Sequence, residues 1–179
     1  MTQQADPVQQ GLSYMRHQGA KSFAEIDAML ERTLGDWNRC LEDMTDEQAT
    51  FQPEGEWCAK EVLGHVLVTD RSINQDIASL AGVEPPVAGA TEVRAMGVQA
   101  GDEQSLPIGE LRERIAGLFA ENRKMAASLE QSDQLGKSFP HPIFGPLNLN
   151  EWLAFHRIHS MDHIQQIDKI KADSGYPSA

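Results

Sequence analysis

The chain has 179 residues, 40% hydrophobic and 23% charged, a length and composition that suit one globular domain with an adequate core. Its formal net charge of −12 argues against a nucleic-acid partner, because phosphate contacts need clustered Lys and Arg that are missing here. No apolar run approaches a membrane span, no basic-then-apolar leader opens the chain, and Cys40 and Cys58 make no metal-finger or redox spacing, so a reduced cytoplasmic protein without a membrane partner is expected.

Residues Met1 to about Gly19 carry Gln, Pro and Gly without a clear period and read as a loose arm, with room for a short helix around Leu12 to His17 and with His17 solvated. From about Ala20 to Met44, Phe23, Ile26, Met29, Leu30, Leu34, Trp37 and Leu41 recur at threes and fours, the mark of an amphipathic helix. Asp27, Glu31, Arg32, Asp36 and Arg39 supply its wet face. Thr45 to Glu56 is a loop containing Gly55, and Glu56 to Leu80 is a second helix. On it, Val62, Thr69, Ser72, Asp76 and Leu80 share a stripe with His65, and Glu61 lies to the other side. Thr, Ser and Asp facing inward need partners, since buried polar groups cost free energy unless paired; the plainer reading is a groove open to water.

Ala81 to Leu106 holds Gly82, Pro85, Pro86, Gly89, Gly97 and Gly101, too many breakers for a long helix. It reads as a long connection with a helical turn near Thr91 to Met96, either the variable wall of a pocket or plain surface chain. Helical period returns from Pro107 to about Gln131 through Ile108, Leu111, Ile115, Leu118, Phe119, Met125 and Leu129, with Ser105 as cap. Ser132 to Leu149 is a turn-rich link directed by Pro140, Pro142 and Pro146. The last helix runs from Asn148 to Ile170, capped by Asn148 or Asn150, with Glu151 in its first turn. Four amphipathic helices, no convincing alternating strand and one long crossover predict an all-α four-helix bundle over residues 20–174, with an arm at 1–19 and a tail at 175–179. The long connection between the second and third helices lets those two run parallel.

The last helix carries the candidate chemistry. Trp152, Phe155, His163, Gln166 and Ile170 lie within about 40° of His159 on a helical projection, and His156 sits at the edge of that stripe. His159 and His163 are one turn apart and can share an ion, although such a pair serves equally as a polar core feature. A third ligand decides between the two, and His65 on the second helix offers it. Three neutral imidazoles with open positions suit Zn²⁺ or Ni²⁺ and admit Fe²⁺, whereas Ca²⁺ and Mg²⁺ want carboxylates. Trp57 and Trp152 read as packing residues at helix starts, and Glu61 as a dipole-stabilising residue, an outer-shell partner or a fourth ligand. His156 either orients a ligand or sits at the bundle edge, and His141 is a structural residue in a proline-bracketed loop near the pocket mouth. Leu153, Met161 and Ile164 form a second apolar patch for a neighbouring helix or a dimer partner.

The segments Trp57-Cys-Ala-Lys-Glu-Val-Leu-Gly-His65, His141-Pro-Ile-Phe-Gly-Pro-Leu-Asn-Leu-Asn-Glu-Trp-Leu153 and His159-Ser-Met-Asp-His163 resemble the DinB-like (DinB/YfiT) superfamily of four-helix bundles, over roughly Ala20 to Ala172. In that family a His on the second helix and an HxxxH on the fourth bind a divalent metal, often nickel or zinc; by matching position these become His65, His159 and His163. Characterised relatives include S-transferases that use bacillithiol or mycothiol and a mycothiol-dependent maleylpyruvate isomerase, and several members are dimers. The resemblance therefore implies a metal-dependent enzyme acting on a small-molecule substrate, such as a low-molecular-weight thiol S-transferase, and a homodimer. A metal-dependent hydrolase and a non-catalytic, stress-associated metal-binding bundle are the alternatives. Cys58 departs from the family's usual Ser or Thr after the Trp, a change at a helix cap.

Overall fold

The computed structural model describes residues 6–87 and 102–178, and the helical turn expected near Thr91 to Met96 lies outside them. Its elements are α1 (Pro7–Gly19), α2 (Phe23–Leu41), α3 (Asp46–Thr50), α4 (Ala59–Ala81), α5 (Ile108–Leu129), β1 (Ser138–His141), β2 (Gly145–Asn148) and α6 (Leu149–Lys171), with a 3-10 turn at Glu103–Ser105.

Local chemistry sets the helix ends. Ser22 opens α2 through a capping box in which the Glu25 N–H donates to the Ser22 hydroxyl at 3.4 Å and the Ser22 N–H donates to the Glu25 carboxylate at 3.1 Å. Asn148 and Glu151 repeat the device at the start of α6, at 2.9 and 2.8 Å, so Asn148 rather than Asn150 is the cap. Gly82 ends α4 in the left-handed region, at φ 70, where a Cβ would be strained. The start of α5 departs from expectation. Ser105 does not cap it, its hydroxyl donating instead to the Asp102 carbonyl, and the Ile108 N–H is taken by Asp46 of α3 at 2.9 Å.

Helix α2 packs on α5 and α6, and α4 packs on the same two helices from the opposite side. Paired residues give the directions. Arg71 with Glu121 and Asn74 with Asn122 make α4 and α5 parallel, while His65 facing His163 and Asn74 facing His156 make α4 and α6 antiparallel. Arg123 with Asp27, and Arg112 with the Met44 carbonyl, run α5 against α2. The result is a four-helix bundle whose parallel middle pair needs the long crossover seen in the sequence. Trp37, Leu30, Leu63, Leu67, Leu111, Leu118 and Phe119 are fully buried at its centre.

Three segments correct the sequence reading. The first is α1, which is no loose arm: Asp6 accepts the Val8 N–H at 3.0 Å, Pro7 occupies the first turn, and Leu12 and Met15 are buried as the helix packs antiparallel on α6. Its apolar stripe is only two residues deep in a Gln-rich segment, too thin to stand out as periodic. The second is a hairpin of β1 and β2 within the link read as turns, pairing Phe139 with Leu147 and Pro140 with Pro146. Two of its eight residues are prolines that lack an N–H, which hides a strand signal from the sequence. The third is the short α3, capped by Thr45 and Gln48 inside the segment read as loop. Leu153 and Ile164 are buried and Met161 packs on the core, so the second apolar patch of α6 finds its neighbours within the chain. Among the described residues no helix is long and apolar enough to cross a membrane.

Candidate metal centre

The antiparallel contact of α4 and α6 brings His65, His159 and His163 together. The Nε2 atoms of His65 and His159 are 3.2 Å apart, and those of His163 and His159 are 3.1 Å apart. Two nitrogens bound to one ion at the usual metal–nitrogen length of 2.0–2.1 Å stand about 2.8–3.4 Å apart for octahedral to tetrahedral angles, so these two spacings fit a shared ion, and all three ligand nitrogens lie within 4.8 Å of one another. His159 and His163 are buried and His65 is half-buried.

Each ring turns its Nδ1 away from the meeting point toward an oxygen. His159 Nδ1 lies 2.9 Å from Asp70 Oδ1, His163 Nδ1 lies 2.8 Å from Gln166 Oε1, and His65 Nδ1 lies 3.5 Å from the Thr69 hydroxyl. Burial, reinforced by the neighbouring His159, lowers the His163 pKa to about 3, which keeps that ring neutral and able to ligate at neutral pH. Burial alone would raise the Asp70 carboxyl, but the adjacent His156 and His159 rings outweigh it and hold Asp70 well below the ordinary carboxylate range.

Asp70 belongs to a buried polar network in the core. Asn122 Nδ2 donates to Asp70 Oδ2 at 3.4 Å, and Asn74 Nδ2 donates to Asn122 Oδ1 at 2.7 Å. His156 Nε2 faces Asn74 Oδ1 at 3.2 Å, and its Nδ1 lies 3.0 Å from Asp70 Oδ2. All four side chains are at most 2% exposed. Aromatic rings flank the histidines. Trp57 is edge-on to His65 at a centroid distance of 5.3 Å and parallel to His163 at 6.3 Å, and Phe155 stacks on His159 at 5.3 Å.

The other candidates fall elsewhere. The Glu61 carboxylate accepts the Cys58 N–H at 2.8 Å and the side-chain amides of Gln52 and Gln104, a capping role at the start of α4. His156 serves the Asp70 network. His141 Nδ1 accepts the Ile143 and Phe144 N–H groups at 3.0 and 3.2 Å, which orders the hairpin turn, and its ring rests 4.8 Å from that of Phe155. Of the polar stripe read on α4, Thr69 reaches His65 and Ser72 is buried, but Asp76 is exposed. The buried carboxylate is Asp70, which sequence reasoning missed. Its signal was present: Asp70 and Asn74 stand in register with Leu63, Val66, Ile73 and Ile77, where an apolar residue is expected.

Comparison with known proteins follows the same lines. The sequence profile of the DinB superfamily matches residues 29–167. The uncharacterized protein YuaE of Bacillus subtilis is 24% identical, over 79% of this chain and 93% of its own length. Among solved structures, YfiT of Bacillus subtilis, described as a probable metal-dependent hydrolase with an unusual four-helix bundle topology, superposes with a TM-score of 0.62 at 18% identity, covering 99% of this chain and 94% of YfiT. A likeness at that identity carries the fold.

Proposed function

The chain belongs to the DinB superfamily, and on that footing we propose that it is a metal-dependent enzyme in which His65, His159 and His163 hold a divalent transition ion that activates a nucleophile toward an electrophilic small molecule. The gathering of three imidazoles whose ligand nitrogens all lie within 4.8 Å of one another carries this reading. The all-nitrogen donor set suits Zn²⁺ or Ni²⁺. When bound, such an ion supplies Lewis-acid chemistry, lowering the pKa of a thiol or a water and presenting it for attack.

The chain's own residues prepare the site. His163 is kept neutral by burial, and Trp57 and Phe155 stand beside the cluster, where they limit access of bulk water. The nucleophile we assign first is a low-molecular-weight thiol of the bacillithiol or mycothiol kind. Its sulfur forms a bond to an electrophilic carbon, the leaving group departs with its bonding pair, and the thiol proton passes to solvent. The description of YfiT as a probable metal-dependent hydrolase favours a second reading, in which water replaces the thiol.

Turnover of the Zn²⁺- or Ni²⁺-loaded protein separates these readings. With chlorodinitrobenzene, the transferase reading expects product only when bacillithiol or mycothiol is added, and loss of it on chelation or in His163→Ala. Cleavage of an activated ester without thiol, lost under the same treatments, establishes hydrolysis instead. A loaded protein inert in both assays contradicts catalysis and leaves a metal-binding bundle.

A further inference from the structure

We propose that Asp70 is the positioning residue of the three-histidine centre: it holds His159 in the tautomer with its proton on Nδ1, so that the Nε2 lone pair is aimed at the point shared with His65 and His163. What the lone pair serves rests on the metal reading above; the tautomer itself does not.

An ionised carboxylate only accepts hydrogen bonds, so the 2.9 Å contact of Asp70 Oδ1 with His159 Nδ1 requires an N–H there. A neutral imidazole has one N–H, and Nε2 is left bare. Gln166 acts on His163 in the same sense, but it lies on the same helix one turn away and is half-exposed. Asp70 is 0% exposed and reaches across from α4, and its other oxygen accepts from Asn122 of α5, with His156 Nδ1 of α6 lying 3.0 Å away. Side chains from three helices thus meet at one carboxylate, and that carboxylate fixes one ring.

A buried carboxylate is a costly choice, and an amide of the same shape would not do its work. Asn122 presents an N–H₂ group to Oδ2, because its own oxygen is already occupied by Asn74. An Asn at position 70 would therefore turn its oxygen toward Asn122 and its N–H₂ toward His159. His159 Nδ1 would have to accept, the ring proton would move to Nε2, and the lone pair would leave the centre. With the native carboxylate, the bare Nε2 atoms of His159 and His163 face one another at 3.1 Å, an arrangement that a cation between them relieves.

The experiment uses the full chain and Asp70→Asn, with two readouts. Long-range ¹H–¹⁵N correlation spectra of the metal-free protein, in mildly alkaline buffer, report the His159 tautomer directly. The expected result is Nδ1–H in the wild type and Nε2–H in Asp70→Asn, with Gln166→Ala leaving His159 unchanged. Zn²⁺ titration calorimetry reads the second effect, a loss of about 10- to 100-fold in affinity in Asp70→Asn with far-ultraviolet circular dichroism retained. A wild-type His159 protonated on Nε2 overturns the proposal, and so does an Asp70→Asn protein with the native tautomer and native affinity. Should Asp70→Asn not fold, the wild-type spectrum alone decides. A wild type that shows Nδ1–H on His159 yet binds no Zn²⁺ upholds the positioning role and defeats the metal reading.

Discussion

The indole of Trp57 lies parallel to the imidazole of His163, with 10° between the planes and 6.3 Å between centroids, and is also edge-on to His65. Of the other tryptophans, Trp37 is fully buried in the bundle core and Trp152 stacks on Phe139, to whose carbonyl its Nε1–H donates. Trp57 is therefore the natural reporter of the centre. Titration with Ni²⁺ is expected to quench tryptophan emission, and Trp57→Phe to remove most of that quenching while calorimetry still shows binding. Equal quenching in Trp57→Phe would place the ion elsewhere.

Acid sensitivity of the metal-free protein follows from its buried neutral imidazoles. The folded-state pKa is lowered to about 3 for His163 and about 4 for His141, in both cases through burial first and the neighbouring His159 second, against an ordinary value of 6.5. Below about pH 6.5 the unfolded chain takes up protons that the folded chain refuses, so stability is lost as pH falls from there toward the folded values. His163 contributes about 1.4 kcal/mol per pH unit within that window, and the half-exposed His141 less. Asp70, whose folded pKa is depressed, adds a further loss below about pH 4. Urea midpoints of the chelated protein should fall steadily from neutral pH to about pH 5; a flat profile would contradict neutral burial.

Docking of α1 is testable at one glycine. A Cβ on Gly19 would stand 3.0 Å from the Glu151 backbone nitrogen and 3.1 Å from the Asn150 carbonyl carbon, atoms that cannot swing aside. In open space a Gly-to-Ala exchange stabilises by about 0.4–1 kcal/mol through the unfolded chain. Here Gly19→Ala is expected to destabilise by about 1–3 kcal/mol, as overpacking does. Gly11→Ala should cost less, because its Cβ meets the ring of Phe144, a side chain able to move. A Gly19→Ala urea midpoint at or above wild type would show that α1 is not held against α6.

Much of this molecule can be read from its sequence because its helices obey a simple period. Phe23 through Leu41 and Ile108 through Leu129 announce themselves at threes and fours, and the breaker-rich crossover permits the parallel pair that Arg71 and Glu121 join. His159 and His163 are legible as a pair from their spacing, and His65 from its place on the facing helix. What stayed hidden depends on partners distant in the chain. The start of α5 is capped by Asp46, and α1 gains its order only against α6. Asp70 breaks the apolar register of α4 for a reason supplied by α5 and α6, so a reading of α4 by itself has no partner to offer it.

Loading the full chain, purified without an affinity tag, with Zn²⁺, desalting it and counting metal by elemental analysis tests the central claim most directly. The wild type should retain about one ion per chain, and His65→Ala, still helical by circular dichroism, should retain almost none. A wild type that keeps no ion, or a His65→Ala variant that keeps the same ion with the same affinity, would contradict a centre built from α4 and α6 together.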